Sequence, residues 1–410
     1  MPNVFITPTW VVNESAERFQ NSVKAVEYFD RSYDDQFKKS GAKVGNTVFA
    51  RLPWIPTLRS GQAWQPAAIL DQTRPVTLTY QSGVDLEWSS IQETTEVDRI
   101  RERYIDPSAD LLAAFVDARA MNDVYSSVYS MVGTPGTTPS SALTFMQARG
   151  KIFDLAGGEK DFVAILDFIT EMTMVNAYTG TFNPQTVRSE DWERGVFGKN
   201  QLGIGTWQHD QQVVKHTTGT FTSSTPIVDN ASQTGSTITS TGWASGATAL
   251  VKGDCIEFAG VYSVNPLTKT STGRLAQFVL TANISDTAGA IQLPIYPSLV
   301  TSGPLQNVTA SPAASAAIYV WGTRSTTYAQ AATVSPQNLV FRPQAFALVM
   351  ADLVDPVAGA KASFARSDDW GINIRFVQQF LLASDQNGSR LDCIHGAAPI
   401  QERLACRVAA

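Results

Sequence analysis

Residues Leu250–Leu280 read LVKGDCIEFAGVYSVNPLTKTSTGRLAQFVL. Short apolar alternations are broken by Lys252-Gly253-Asp254 and by a polar loop. Leu250-Val251 ends one strand, Gly253 and Asp254 supply turn geometry, and a new strand starts at Cys255, with Ile256, Phe258 and Gly260 sharing one face. Around this stretch, from Phe221 to about Pro336, Ser, Thr, Gly and Ala dominate and charge is sparse. STITST, CIEFAGVYSV, AQFVLTAN, AIQLPIYP and AAIYVWG recur between turn signals, the pattern of a small barrel or sandwich.

The flanks read differently. Phe19, Val23, Val26 and Phe29 give a partial helical stripe, and Tyr28, Phe29, Tyr33 and Phe37 add aromatic rings. Such a segment suits an arm laid on a neighbour, or a helix docked on its own subunit. GNTVFARLPWIP alternates through Val48, Ala50 and Leu52, and RPVTLTYQSGVDLEWSS through Val76, Leu78 and Tyr80. With a polar segment between them, the two predict a long hairpin with an extended tip. Pro53, Pro56, Pro66 and Pro75 keep its ends out of a central sheet position.

Asp106-Pro107 then opens the best helix in the chain, since Asp caps and Pro tolerates the first turn. Leu111, Phe115, Ala118, Asn122, Tyr125 and Val128 carry the stripe, and the helix is expected to run to about Val132. A second helix, about 140–155, places Leu143, Met146, Ile152 and Phe153 on one side. DFVAIL reads as a buried strand, Asp167 caps a helix through Tyr178, and RSEDWERGVFG suggests a short helix. After the β-rich span, NLVFRPQAFALVMADLVDP returns to the mixed pattern, and INIRFVQQFLLAS and the C-terminal stretch read as strands. The fold class is α+β.

Charged residues make up 17% of the 410, below the usual quarter, which suits a surface that meets other protein as well as a large buried core. Net charge is −6 and the longest Lys/Arg run is Lys38-Lys39, which argues against tight DNA binding. Cys255, Cys393 and Cys406 are an odd, widely spaced set and read as free thiols of a reducing compartment. MPNVFITPTW lacks the features of a secretory signal, and no run suits a spanning helix. His209, His216 and His395 match no metal or triad spacing, and GVFGKNQLGIGTW lacks the phosphate-loop order. No catalytic residue, cofactor or metal is expected.

The order arm, hairpin, long helix, α+β core, inserted β module and return to the core resembles the major capsid protein of tailed double-stranded-DNA phages, with the Hong Kong 97-like fold. VKGDCIEFAGVYSVNPLTKTSTGRLAQFVLT is similar to the inserted domain of the P-twenty-two-type coat proteins. LGIGTWQHDQQVVKHTTGT, FRPQAFALVMADL and RLDCIHGAAPIQERLACRV resemble the segments leading in, leading out and closing the chain. The resemblance implies an N-terminal arm (1–40), an extended hairpin loop (41–95), the spine helix of a peripheral domain (96–132), an apical and peripheral core (133–222), an inserted antiparallel β-barrel (223–335) and a return to both domains (336–410).

It further implies an icosahedral shell of pentamers and hexamers, found in the virion and assembled in the host bacterial cytoplasm. Its partners would be further copies of the chain, a scaffolding protein, a portal, a decoration protein, and packaged DNA through non-specific contact, with no membrane. Contact candidates are Phe19, Tyr28, Phe29 and Tyr33 on the arm, and Arg51, Trp54, Arg59, Trp64, Arg74, Asp85 and Glu87 on the hairpin loop. Some related shells crosslink through a Lys on this loop, but none occurs between Gly45 and Lys151, so a noncovalent shell is expected. The alternatives are a tail-tube or decoration protein, and a β-rich carbohydrate binder using Trp243 and Trp321.

Overall fold

The computed structural model describes residues 8–33, 45–56, 61–62, 64, 69–89, 104–177, 201–220, 225–243, 249–285, 290–321, 332–356, 361–367, 372–382 and 385–410. The chain divides into two compact units.

The first unit holds residues 1–50, 73–121 and 346–398. Its sheet runs in the order Phe346–Ala351, Gln386–Pro399, Ile372–Leu381 and Lys361–Ser367, and Tyr80–Ser89 also pairs with Gln386–Pro399. The last pairing is antiparallel and unbroken from Ser89–Gln386 to Tyr80–His395. Helix α1 (Pro8–Ser22) packs on the strands Lys361–Ser367 and Ile372–Leu381. It is shorter than the aromatic stripe suggested: a 3₁₀ turn, Val26–Tyr28, replaces the next helical turn. The reason is Asp117, whose buried carboxylate accepts from Lys24 N at 2.8 Å and Val26 N at 3.0 Å and so competes with helix continuation.

Helix α2 (Asp106–Tyr125) supplies Asp117. Asp110 on its first turns receives both arms of the Arg18 guanidinium at 2.9 Å. The helix stops at Tyr125 rather than Val132, so its 20 residues span roughly 30 Å. Ser126 and Ser127 turn the chain, and Met131–Gly133 joins a sheet instead. The expected stripe is also on the wrong face. Ala109, Leu112, Ala113, Val116 and Ala120 are buried, while Leu111 and Phe115 are half exposed.

The hairpin pairs Thr47–Arg51 with Thr73–Thr77 in its own two-stranded sheet, with Val48, Ala50 and Val76 buried. The segment read as one second strand is two: the chain breaks pairing at Leu78-Thr79, and Tyr80 onward belongs to the larger sheet.

The second unit holds residues 51–72, 122–345 and 399–410. Its core sheet is ordered Met131–Gly133, Ala405–Ala409, Val334–Phe341, Val163–Leu166 and Thr206–His209. DFVAIL is the expected buried strand, all four residues of Val163–Leu166 being buried. Helices α3 (Ala142–Asp154) and α4 (Phe168–Ala177) contribute Phe145, Ala148, Ile152 and Met174 to its main apolar cluster. Ser141 caps α3 through Leu143 N, and Asp167 caps α4 through Ile169 N. Leu143, Met146 and Phe153, expected inward with Ile152, point to solvent. The short helix expected in RSEDWERGVFG lies outside the described residues.

Six strands of the same unit form a nearly closed barrel, in the order Ile318–Val320, Cys255–Val264, Ser271–Leu280, Ile291–Leu299, Gly235–Thr241 and Ile227–Val228. The ends meet where Val228 N bonds Ala316 O and Ile318 N bonds Pro226 O, each at 2.9 Å. Ile256, Phe258, Phe278, Leu280, Leu293 and Ile318 fill it, with the rings of Phe258 and Phe278 5.5 Å apart. Gly253 holds the Lys-Gly-Asp turn at φ +101°, a conformation open to glycine and costly for other residues. Trp243 lies in this core and donates to Ser240 Oγ, so it offers no face to a sugar.

Candidate functional site

Two features of the second unit join the barrel to the core sheet. The first is built around Gln277. Met131 sits on the edge strand of the core sheet, whose inner edge pairs with Ala405–Ala409. Its remaining N–H and C=O are buried and need partners. The Gln277 carboxamide provides both. Its oxygen accepts from Met131 N at 2.8 Å, and its nitrogen donates to Met131 O at 3.1 Å. A primary amide is the neutral side-chain group that copies a peptide's donor and acceptor. Lys151 Nζ joins the same knot, donating to Met131 O at 2.6 Å and Gln277 Oε1 at 2.7 Å. It lies 4.7 Å from the centre of the Trp321 ring, whose indole N–H donates to Gly133 O at 3.0 Å. Trp321 is thus committed to packing as well. Glu257 accepts from Gln277 Nε2 at 3.0 Å.

The second feature is Asp254. Its carboxylate accepts from Val251 N at 2.8 Å and Gly219 N at 3.1 Å, and it meets His216 Nε2 at 2.8 Å. Both side chains of the His216–Asp254 pair are almost fully buried. His216 lies on the strand leading into the barrel, and it pairs in register with Ser335 on the strand leading out. One carboxylate therefore clasps the barrel's first long turn to its neck. Arg407 is buried nearby with no hydrogen-bond partner on its three guanidinium nitrogens. Burial lowers its pKa, opposed by Cys255, Tyr125, Asp254 and Cys406.

Sequence reasoning saw Asp254 only as a turn former and missed Gln277 and Lys151. A glutamine on a barrel exterior carries no signal until its partner edge is known.

The contact candidates fall into three groups. Phe19 and Phe29 are buried in the first unit, Phe29 with its ring 5.2 Å from that of Phe346. Tyr28 and Tyr33 are half-buried, and burial raises both phenol pKa values, with Glu27 and Asp30 adding to it. On the hairpin, Arg51, Trp54 and Trp64 are exposed, Trp64 to 85%, and Arg74 is half-buried. Arg59 lies outside the described residues. Asp85 receives both arms of Arg390 at 2.6 and 3.1 Å, which lowers its pKa. Glu87 is exposed on the same strand.

Among the described residues no three His, Cys, Asp or Glu side chains gather as a metal site. His209 pairs with Glu171 at 2.9 Å. The three thiols are buried, and burial raises Cys255 and Cys393 to about 12 and Cys406 to about 11. Such thiols carry almost no thiolate at neutral pH. Cys393 and His395 share one strand, and Cys406 belongs to the other unit. No helix among the described residues is long and apolar enough to cross a membrane.

Burial, reinforced by Arg119, lowers His395 to about 4. The folded chain therefore refuses a proton that the unfolded chain accepts near pH 6.5. Stability from this group is complete above about pH 6.5 and falls as pH drops toward 4, by up to about 3 kcal/mol. Urea midpoints between pH 7 and 5 should show this slope, and His395→Phe should flatten it. Equal slopes would contradict the assignment.

In the second unit a barrel is thus inserted through a two-stranded neck into an α+β core. The family match sets the class, the coat protein of a tailed phage. The chain belongs to the P22 coat protein family, whose model, described as "P22 coat protein - gene protein 5", matches residues 72–403. None of the curated proteins compared matches it. Among solved structures, the chain is similar to that of Mycobacterium phage Che8, at 12% identity and TM-score 0.43, over 95% of this chain and 90% of that one. It is also similar to the capsid of Ralstonia phage GP4, at 8% identity and TM-score 0.44, over 94% and 88%. The CUS-3 coat protein I-domain is 26% identical over 24% of this chain and 96% of its own, with TM-score 0.19. Family membership rests on the match over 72–403.

Proposed function

We propose that this capsid protein tiles a closed icosahedral shell of pentamers and hexamers around the double-stranded DNA of a tailed phage. The observation that carries the proposal is the hairpin. Phe49 on the two-stranded ribbon, and Trp64 and Ile69 between its strands, are 63%, 85% and 71% exposed. Apolar rings in that state gain by covering a neighbour. The hairpin loop laps adjacent copies, whereas helix α1 of the arm packs on the sheet of its own subunit. The spine segment (96–132) and the segments 133–222 and 336–410 make the peripheral and apical domains, and the barrel (223–335) braces them. With no Lys between Gly45 and Lys151, the contacts are noncovalent, and repetition in a closed array makes modest contacts sufficient.

Assembly takes place in the host cytoplasm with a scaffolding protein and a portal, and a decoration protein can add to the finished shell. Net charge −6 lets packaged DNA lie against the shell without tight phosphate contacts. The test is expression of the chain with its scaffolding partner, followed by sedimentation and negative-stain imaging. Closed particles of uniform size are expected. A stable small dimer with no particles would refute the proposal.

A further inference from the structure

The seat of the barrel gathers an amine, a carboxamide and a carboxylate within one unit. Lys151 Nζ lies 2.7 Å from Gln277 Oε1, and Glu257 Oε1 lies 3.0 Å from Gln277 Nε2. Lys151 comes from α3, and Glu257 and Gln277 stand directly opposite each other on two barrel strands. The sheet register therefore fixes the carboxylate on the carboxamide. Gln277 and Glu257 are buried, and the half-buried Lys151 has its nitrogen 4.7 Å from the centre of the Trp321 ring. Capping the edge at Met131 accounts for Gln277 alone. It requires neither an amine on the same oxygen nor a buried carboxylate on the same nitrogen.

In water an amine does not displace ammonia from an amide. The amine is protonated, the carbonyl is a poor electrophile, and the amide nitrogen is a poor leaving group. The seat answers each point. Burial disfavours the charged forms of Lys151 and Glu257 and so favours the neutral amine and acid. Met131 N donates to Gln277 Oε1 at 2.8 Å, on the atom where negative charge gathers when the carbonyl carbon is attacked. Glu257 already touches the nitrogen that must leave and is placed to protonate it. The fold holds all the parts in contact, which removes the entropic cost of bringing them together.

We propose that Lys151 and Gln277 join in an isopeptide bond within one chain, with Glu257 carrying the protons and Met131 N–H holding the oxyanion. Nζ attacks Cδ of Gln277, the new C–N bond forms, and the bond from Cδ to Nε2 breaks. Nζ gives up two protons, one before attack and one from the tetrahedral adduct. Glu257 passes both to the leaving nitrogen, which departs as ammonium, so no oxidant, metal or cofactor is consumed. The product retains the carbonyl oxygen and with it the bond from Met131 N. A cleft of about 910 Å³, lined in part by Lys151, Glu257, Gln147, Tyr262 and Arg274, gives the ammonium a way out. The bond ties α3 of the core to a barrel strand 126 positions further along the sequence. It lies inside one subunit, and the contacts between copies stay noncovalent.

The experiment weighs the full chain by intact-mass spectrometry, denatured after it has folded. The chain should be lighter than its sequence by one molecule of ammonia. Trypsin should release one branched peptide that joins residues 150–160 to residues 275–324, with Lys151 uncut. Lys151→Arg keeps the cation but lacks the amine, and should keep the full mass. Glu257→Gln should slow the linkage about a hundredfold or more, within the range of general acid–base catalysis.

A folded parent chain that stays at full mass through prolonged incubation overturns the inference. Loss of ammonia without the branched peptide overturns it too. A Glu257→Gln chain that links as fast as the parent overturns the part given to Glu257. Should the variants misfold, the mass and digest of the parent chain still decide. The measurement needs no particles, so its outcome is separate from that of the shell reading.

Discussion

Asp254→Ala should unseat the barrel and cost about 3 kcal/mol or more, because it leaves several buried donors without their acceptor, at about 1–3 kcal/mol each. The substitution deprives Val251 N, Gly219 N and His216 of their shared acceptor in one step. It also removes a carboxylate whose charge attracts the buried, otherwise unpartnered Arg407. Asp254→Asn retains one acceptor oxygen and should lose less. Urea unfolding of the full chain, followed by tryptophan fluorescence, would report the change, because Trp243 lies in the barrel core and Trp321 at its seat. A loss below about 1 kcal/mol, the scale of an ordinary surface pair, would show that the clasp is dispensable. The Gln277–Met131 amide pair would then hold the barrel alone.

Gly396→Ala should be comparably severe, at the base of the hairpin. A Cβ there would stand 2.0 Å from Thr77 O and 2.9 Å from Thr77 C. Both are backbone atoms, so no side chain can step aside. Thr79 N is bonded to His395 O at 3.2 Å, which ties the hairpin's return to this strand. The added methyl must push the two apart, and the loss should reach about 3 kcal/mol or more, the upper range for overpacking. Gly388→Ala on the same strand is the control. Its methyl would meet only Gln379 O at 3.7 Å and Leu381 Cδ1 at 3.9 Å, which is ordinary contact. Its stability should change by no more than about 1 kcal/mol. Equal effects at the two glycines would mean that the close approach of Thr77 does not matter.

The parts of the fold that could be read from the sequence are those whose signal is local. Cys255–Val264 begins and ends where CIEFAGVYSV does, because a Lys-Gly-Asp turn precedes it and Asn265-Pro266 follows. Val163–Leu166 was legible as a short unbroken apolar run, and Asp106-Pro107 as a helix start. What misled was the choice of face on α2 and α3. Leu111 and Phe115, or Leu143 and Met146, are as apolar as the residues buried opposite them. A helix that is apolar on two sides has no unique stripe, and a subunit with surface reserved for neighbours produces such helices. The end of α2 was misjudged for a different reason. Val128 and Val132 continue the spacing, but Met131–Gly133 gains a parallel ladder with Ala405–Ala409 that lies more than 270 residues away in sequence. The barrel seat was invisible for the same reason: Gln277 and Met131 are 146 positions apart, and only the fold brings them together.

The account turns on hairpins that cover neighbours rather than their own subunit. A cryo-electron microscopy reconstruction of the assembled particle tests this most directly. It should show a closed icosahedral shell in which the hairpin of each copy lies across an adjacent copy. A shell whose hairpins fold back on the subunits that own them, or a preparation with no closed shell, would contradict it.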